Sequence, residues 1–79
     1  MKLFDIAILG AGSFGSAVAI HIARSSHQVV LWGRDKEQLD AMNHEKENSH
    51  YLPKIKFPST LHLEACLDKA IKQSKHIIV

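Results

Sequence analysis

Apolar residues occur along this chain in short blocks separated by polar or glycine-containing segments. Residues 3–9, "LFDIAIL", are apolar apart from Asp5, which is typical of a strand buried on both faces of a parallel sheet. Residues 28–33, "QVVLWG", are β-branched and aromatic and predict a second strand. The segments "TLHL" at 60–63 and "HIIV" at 76–79 predict further extended stretches.

Helical patterns lie between these blocks. Residues 13–25 combine a serine start with small and apolar residues, and residues 67–74 form a short amphipathic pattern. Asp35 opens a further helix, since Gln38 three residues later matches a capping box. Residues 46–60 are polar and contain two prolines, so we expect a loop with at most a short extended piece at 55–57.

Alternating strands and helices predict an α/β fold with a parallel sheet and right-handed crossovers. The sequence ends inside the apolar run "HIIV", so residues 1–79 are interpreted as the N-terminal part of a larger domain. The specific prediction is a Rossmann-type doubly wound parallel sheet of which only the N-terminal portion is present.

Composition and charge narrow the function classes. The chain is 46% hydrophobic and carries a formal charge of +2 with scattered basic residues, which argues against a nucleic-acid partner. Asp5 and His21 interrupt the apolar N-terminus, so neither a signal peptide nor a membrane span is predicted. The single cysteine, Cys66, excludes an intrachain disulfide and fits a reducing cytoplasm; we expect it to be a helix cap or a small packed residue.

The strongest chemical signal is G-x-G-x-x-G, formed by Gly10, Gly12 and Gly15 between the first strand and the first helix. Gly10 permits a tight turn, Gly12 lets a diphosphate approach the main chain, and Gly15 lets the helix pack closely. The helix start then offers N–H groups and a positive dipole end to phosphate. The ligand predicted is therefore a dinucleotide.

The end of the second strand bears on which dinucleotide binds. NAD sites place Asp or Glu there, whereas this chain has Gly33 and Arg34. Gly33 provides no carboxylate to repel a 2′-phosphate, and the Arg34 guanidinium can pair with one. Asp35 could serve as the acidic residue instead, but is interpreted as a helix cap. NADP is thus favoured, and NAD stays open.

Together these motifs resemble the bacterial NAD(P)-dependent glycerol-3-phosphate dehydrogenases. The resemblance rests on "ILGAGSFGSAVA", on "VVLWGRD" and on "NSHYLPKIKFPSTLHLEACL", with Asn48 preceding Tyr51, Leu52 and Pro53. It implies an enzyme that interconverts dihydroxyacetone phosphate and sn-glycerol 3-phosphate for phospholipid synthesis. It also implies that Ser13, Phe14 and Arg34 contact the cofactor and that Tyr51 borders its nicotinamide side.

The same resemblance places the catalytic lysine and a helical second domain beyond Val79, so no catalytic residue is assigned in this segment. Ser26 occupies a position where the family has glycine, and we expect it in a left-handed helix cap. Another NAD(P)-dependent dehydrogenase or a nucleotide-sensing module remains an alternative, and a homodimer is left open. The six histidines show no metal-ligand spacing, so no metal site is predicted. His50 is singled out as a neighbour of the site.

Overall fold

The computed structural model describes residues 2–48 and 52–79. Strands and helices alternate along most of this range. The elements are β1 (Phe4–Leu9), α1 (Ser13–Ala23), β2 (Val29–Trp32), α2 (Lys36–Glu45), β3 (Glu47–Asn48), β4 (Leu52–Lys56), β5 (Leu61–Glu64), α3 (Leu67–Lys72) and β6 (Ser74–Ile78).

Four strands form one parallel sheet in the order β5-β2-β1-β6. Leu9 at the end of β1 pairs with Trp32 at the end of β2, and Trp32 pairs with Glu64 at the end of β5. The carboxyl ends of these strands therefore meet at one edge of the sheet. This architecture confirms the predicted α/β fold with a Rossmann-type parallel sheet.

The two faces of the sheet bury different helices. Ile8 and Leu31 point into a cluster that includes residues of α1 and α2, among them Ala19 and Leu39. Ala7 and Val30, the alternate positions of the same strands, pack with Ala70 of α3. Because helices cover both faces, the two central strands are apolar on both, with Asp5 the one exception in β1 and β2, as the sequence pattern predicted.

The segment predicted as a loop forms a small antiparallel hairpin of β3 and β4. Lys56 Nζ lies 2.7 Å from a carboxylate oxygen of Glu47, and the Lys54 N–H donates to the other oxygen at 3.0 Å. These two contacts hold the pKa of Glu47 below its ordinary value of 4.5. The hairpin is stabilised by contacts between polar residues, which is why apolar periodicity did not reveal it.

The last helix begins at Leu67 as predicted but ends earlier than predicted, and the last strand begins earlier. α3 ends at Lys72, and β6 begins at Ser74 because Ser74 pairs with Phe4 of β1. The Ser74 hydroxyl is buried and donates to the Ala70 carbonyl at 2.7 Å. The side chain of Ser74 therefore binds the end of α3, while its backbone forms the first residue of β6.

Two helix ends follow the sequence predictions. The Asp35 carboxylate accepts hydrogen bonds from the N–H groups of Glu37 and Gln38 at 3.0 and 3.3 Å, which confirms Asp35 as the N-cap of α2. After α1, Ser26 adopts a left-handed backbone with φ of 68°.

Within the described ranges, no helix is both long and apolar enough to cross a bilayer.

The left-handed Ser26 generates the first prediction. Replacement by glycine removes the Cβ that this conformation disfavours, so Ser26→Gly should raise the free energy of unfolding by about 0.5–1 kcal/mol. The matched control Ser25→Gly lies one residue earlier, where φ is not positive, and should lower it. Urea unfolding of the full-length protein measures both, and a loss of stability in Ser26→Gly would contradict the assignment.

Candidate cofactor-binding site

The candidate site lies where β1 ends and α1 begins. Gly10 has φ of 119°, which glycine adopts readily and other residues rarely do. Its N–H still belongs to the sheet, donating to the Trp32 carbonyl at 2.9 Å. The chain therefore leaves the strand in a turn that only a glycine at this position allows without strain.

Gly15 is required by a close contact. A Cβ at Gly15 would overlap the carbonyl oxygen of Gly10 and would lie 3.2 Å from its carbonyl carbon. The contact brings the first turn of α1 directly against the end of β1. The structure agrees with the predicted close approach and identifies the Gly10 carbonyl as the group approached.

Gly12 differs from the other two glycines because neither its φ nor a steric contact within the described residues requires glycine. Its φ of −79° suits any residue, and a Cβ there would meet no heavy atom within 4 Å. Gly12 is exposed and forms the N-cap of α1. A glycine with neither backbone strain nor a crowded neighbour leaves the main chain open at this point, as the sequence predicts for a residue that a diphosphate approaches.

The main-chain groups around Gly12 suit an anion. The first bond inside α1 runs from the Ser16 N–H to the Gly12 carbonyl at 2.9 Å. In the part of the chain that the structure describes, the N–H groups of Gly12, Ser13 and Phe14 have no hydrogen-bond partner, and no side chain caps the helix. The first turn also contains no acidic residue, whereas the first turns of α2 and α3 contain Glu37 and Asp68. The positive end of α1 is thus left unneutralised.

Ser13 and Phe14 are the first two residues of α1, and both are exposed. The Phe14 side chain is 78% exposed, a large fraction for an aromatic residue. It lies two residues from Gly12 in the sequence, in the first turn of α1. These positions are compatible with the cofactor contacts predicted for both residues.

Arg34 follows β2 at the same edge of the sheet. It is exposed, and among the described residues its guanidinium makes no hydrogen bond or ion pair. Asp35 beside it caps α2 through Oδ1, which accepts from the N–H groups of Glu37 and Gln38. The cation therefore stands uncompensated next to the turn.

Gly33 has a steric role that sequence analysis did not identify. A Cβ at this position would lie 2.9 Å from Leu39 Cδ2 and 3.0 Å from the Ala11 Cβ. Glycine fits here without a shift of these neighbours, because α2 and the β1–α1 turn both pack against the end of β2. The absence of an acidic side chain at position 33 is thus also consistent with the close packing around it.

Tyr51 and His50, both singled out above, lie outside the described residues. Asn48, three residues before Tyr51, is buried with 1% exposure, and its amide nitrogen donates to the Ala11 carbonyl at 3.0 Å and to Ser16 Oγ at 2.9 Å. Gln38 Nε2 lies 3.4 Å from the same Ala11 carbonyl. Sequence reasoning missed Asn48 and Gln38 as parts of this site, because their partner is more than 25 residues away in the chain.

Cys66 and the histidines were the other groups considered in the sequence analysis. Cys66 is the N-cap residue of α3, but its thiol makes no capping bond and is exposed, so the packed alternative is wrong. Across residues 2–48 and 52–79, no three histidine, cysteine or acidic side chains are grouped so that they could hold a metal ion.

A parallel sheet in this order, a glycine turn and uncovered amides at the first helix define a dinucleotide-binding domain of the Rossmann class. Residues 5–79 match the family model described as NAD-dependent glycerol-3-phosphate dehydrogenase N-terminus. The chain therefore belongs to the glycerol-3-phosphate dehydrogenase family, whose N-terminal part it matches.

Relatives and solved structures agree with this assignment. Proteins named glycerol-3-phosphate dehydrogenase [NAD(P)+] from Salmonella paratyphi B and Salmonella newport are 46% identical over 75 residues, covering 95% of this chain and 22% of each relative. The crystal structure of glycerol-3-phosphate dehydrogenase from Coxiella burnetii superposes with a TM-score of 0.88 at 39% identity, over 94% of this chain and 23% of that one. A Plasmodium falciparum glycerol-3-phosphate dehydrogenase, 24% identical, shares the fold with a TM-score of 0.77 over 96% of this chain and 24% of its own. The chain thus spans about a fifth of the length of these curated relatives.

The different reasons for Gly12 and Gly15 generate a second prediction. Gly15→Ala forces a Cβ into the Gly10 carbonyl and should lower the free energy of unfolding by about 2 kcal/mol or more. Gly12→Ala meets open space and should change it by less than about 0.5 kcal/mol. Denaturant unfolding of the full-length protein compares the pair. Equal losses in both variants would show that Gly12 is also a packing residue.

Proposed function

We propose that the protein containing this segment is an oxidoreductase that transfers a hydride between NAD(P)H and dihydroxyacetone phosphate, giving sn-glycerol 3-phosphate. Residues 1–79 supply the N-terminal part of its dinucleotide-binding domain. The observation that carries the proposal is the open space at Gly12 beside uncovered amides, in a chain of this family. The names of the relatives support both the reaction and the use of NAD(P).

In this proposal the cofactor diphosphate lies against the turn between β1 and α1. Gly10 and Gly15 shape the turn, and the N–H groups of Gly12, Ser13 and Phe14 donate to phosphate oxygens. The Phe14 ring covers one side of the bound nucleotide. The nicotinamide ring supplies the hydride, and the protein's task in this segment is to hold and orient it.

The catalytic residues belong to the larger part of the protein, outside residues 1–79. Tyr51 is proposed to border the nicotinamide, since it follows β3, whose last residue Asn48 contacts the glycine turn. A helical second domain would bind the phosphorylated substrate. The single free cysteine is compatible with a cytoplasmic enzyme that supplies phospholipid synthesis.

NADP is proposed as the preferred cofactor because of Arg34. The adenosine ribose of a dinucleotide on this turn extends toward the end of the adjacent strand, which is β2. There the ribose lies near Gly33 and near the guanidinium of Arg34, which forms no ion pair among the described residues. The neighbouring carboxylate, that of Asp35, caps α2. A guanidinium can bind a 2′-phosphate through two hydrogen bonds.

The reaction is tested with the full-length protein. We expect NADPH consumption, followed by absorbance at the nicotinamide band, when dihydroxyacetone phosphate is added, and NAD(P) reduction when sn-glycerol 3-phosphate is added. The 79-residue segment alone should not turn over substrate, since the family resemblance places the catalytic lysine and the helical second domain outside it. NADPH binding without reduction of dihydroxyacetone phosphate or oxidation of sn-glycerol 3-phosphate would instead favour a nucleotide-sensing role.

The Arg34 assignment has its own test. Arg34→Asp should weaken NADPH binding at least tenfold, because a charge-assisted hydrogen bond of about 1.5–3 kcal/mol is replaced by repulsion. NADH binding should change by no more than about twofold, since a free hydroxyl makes no ion pair. Arg24→Asp makes the same charge change at the exposed C-cap of α1 and is the control. If Arg34→Asp weakened both cofactors equally, Arg34 would not recognise the 2′-phosphate.

A further inference from the structure

The carbonyl oxygen of Ala11, between the first two glycines of the motif, accepts hydrogen bonds from two side-chain amides. Asn48 Nδ2 donates to it at 3.0 Å and Gln38 Nε2 at 3.4 Å. One donor comes from the β3–β4 hairpin and the other from α2, so two separate elements hold one carbonyl. Ala11 itself is buried.

Hydrogen bonds to the Ala11 carbonyl also fix the orientation of the Gly12 N–H, because both groups belong to one peptide unit. In a trans peptide unit the C=O and the following N–H lie in one plane and point in opposite directions. When the Ala11 carbonyl is held toward the buried Asn48 amide, the Gly12 N–H is turned the other way. Among the described residues the Gly12 N–H has no acceptor, and a Cβ on Gly12 would meet no heavy atom within 4 Å.

We propose that Asn48 and Gln38 are positioning residues that hold the Ala11–Gly12 peptide with its N–H directed at the cofactor diphosphate. The inference rests on the proposed function, because it concerns the same cofactor. Asn48 contributes more, since its contact is shorter and its side chain is 1% exposed, which excludes competing water.

The chemistry requires an amide at position 48. A carbonyl oxygen only accepts hydrogen bonds, so the group facing Ala11 must be the NH₂ of Asn48. One hydrogen of that NH₂ goes to Ala11 and the other to Ser16 Oγ at 2.9 Å. Aspartate has nearly the same shape but no hydrogen to donate, and its charge would repel both the carbonyl and a diphosphate.

The experiment measures ligand binding by calorimetry in the full-length protein. Asn48→Asp should weaken NADPH and NADH by about tenfold or more and to a similar extent, because both carry the same diphosphate. Gln38→Met, which keeps the length of the side chain but removes the donor, should weaken both about threefold. Adenosine 2′-monophosphate, which lacks the diphosphate, should bind all variants within about twofold of the unsubstituted protein.

Two further variants separate positioning from stability. Asn43→Asp makes the same chemical change on the exposed face of α2, where the Asn43 side chain is hydrogen-bonded to Lys46, and should leave NADPH binding unchanged. Ser16→Ala removes the other acceptor of Asn48 but keeps the Ala11 contact, so it should lower the melting temperature with little effect on NADPH. If Asn48→Asp does not fold, Gln38→Met tests the inference by itself. It should weaken NADPH binding and leave the binding of adenosine 2′-monophosphate unchanged.

Two results would overturn the inference. One is NADPH binding by Asn48→Asp and Gln38→Met equal to that of Asn43→Asp. The other is a loss that parallels the loss of stability in Ser16→Ala and extends to adenosine 2′-monophosphate, which would make Asn48 a purely structural residue. Absence of NADPH binding in the unsubstituted protein would refute the proposed function instead.

Discussion

The first turn of α1 lies directly against the Gly10 carbonyl, and this contact is the constraint on which the site depends. No side chain fits between the two backbones, so the helix begins immediately beyond the end of β1. Its N–H groups and the positive end of its dipole are thereby aimed across the edge of the sheet where parallel strands end. The proposed diphosphate site therefore depends on main-chain geometry, and the side chains around it need only leave it open.

Several residues keep the space beside the β1–α1 turn free of side chains and of negative charge. Gly12 leaves the space open, while Asp35 turns its carboxylate to the start of α2. Gly33 lets α2 and the turn pack against the end of β2, which brings Arg34 to the same edge. The buried amide of Asn48 links the turn to the β3–β4 hairpin through the Ala11 carbonyl. The hairpin is therefore a support for the cofactor turn, although it adds no strand to the main sheet.

Much of this fold could be predicted from local patterns, because strands buried on both faces are apolar throughout and helix caps have short-range signals. Asp35 and the left-handed Ser26 were predicted in this way. The hairpin and the role of Asn48 could not be, because a buried polar residue is explained only by partners such as Ser16, which lies 32 residues away. The start of β6 at Ser74 was missed for the same reason, since pairing with Phe4 decides it. Gly33 shows a further limit: the sequence indicated an electrostatic reason for glycine, and the structure adds contacts with Leu39 and Ala11.

The most direct test of this account is a crystal structure of the full-length protein with NADPH bound. The account predicts diphosphate oxygens within about 3.2 Å of the main-chain nitrogens of Gly12 and Ser13, the distance of an N–H···O hydrogen bond. A diphosphate held elsewhere by side chains, with the space at Gly12 filled by the protein's own atoms, would contradict it.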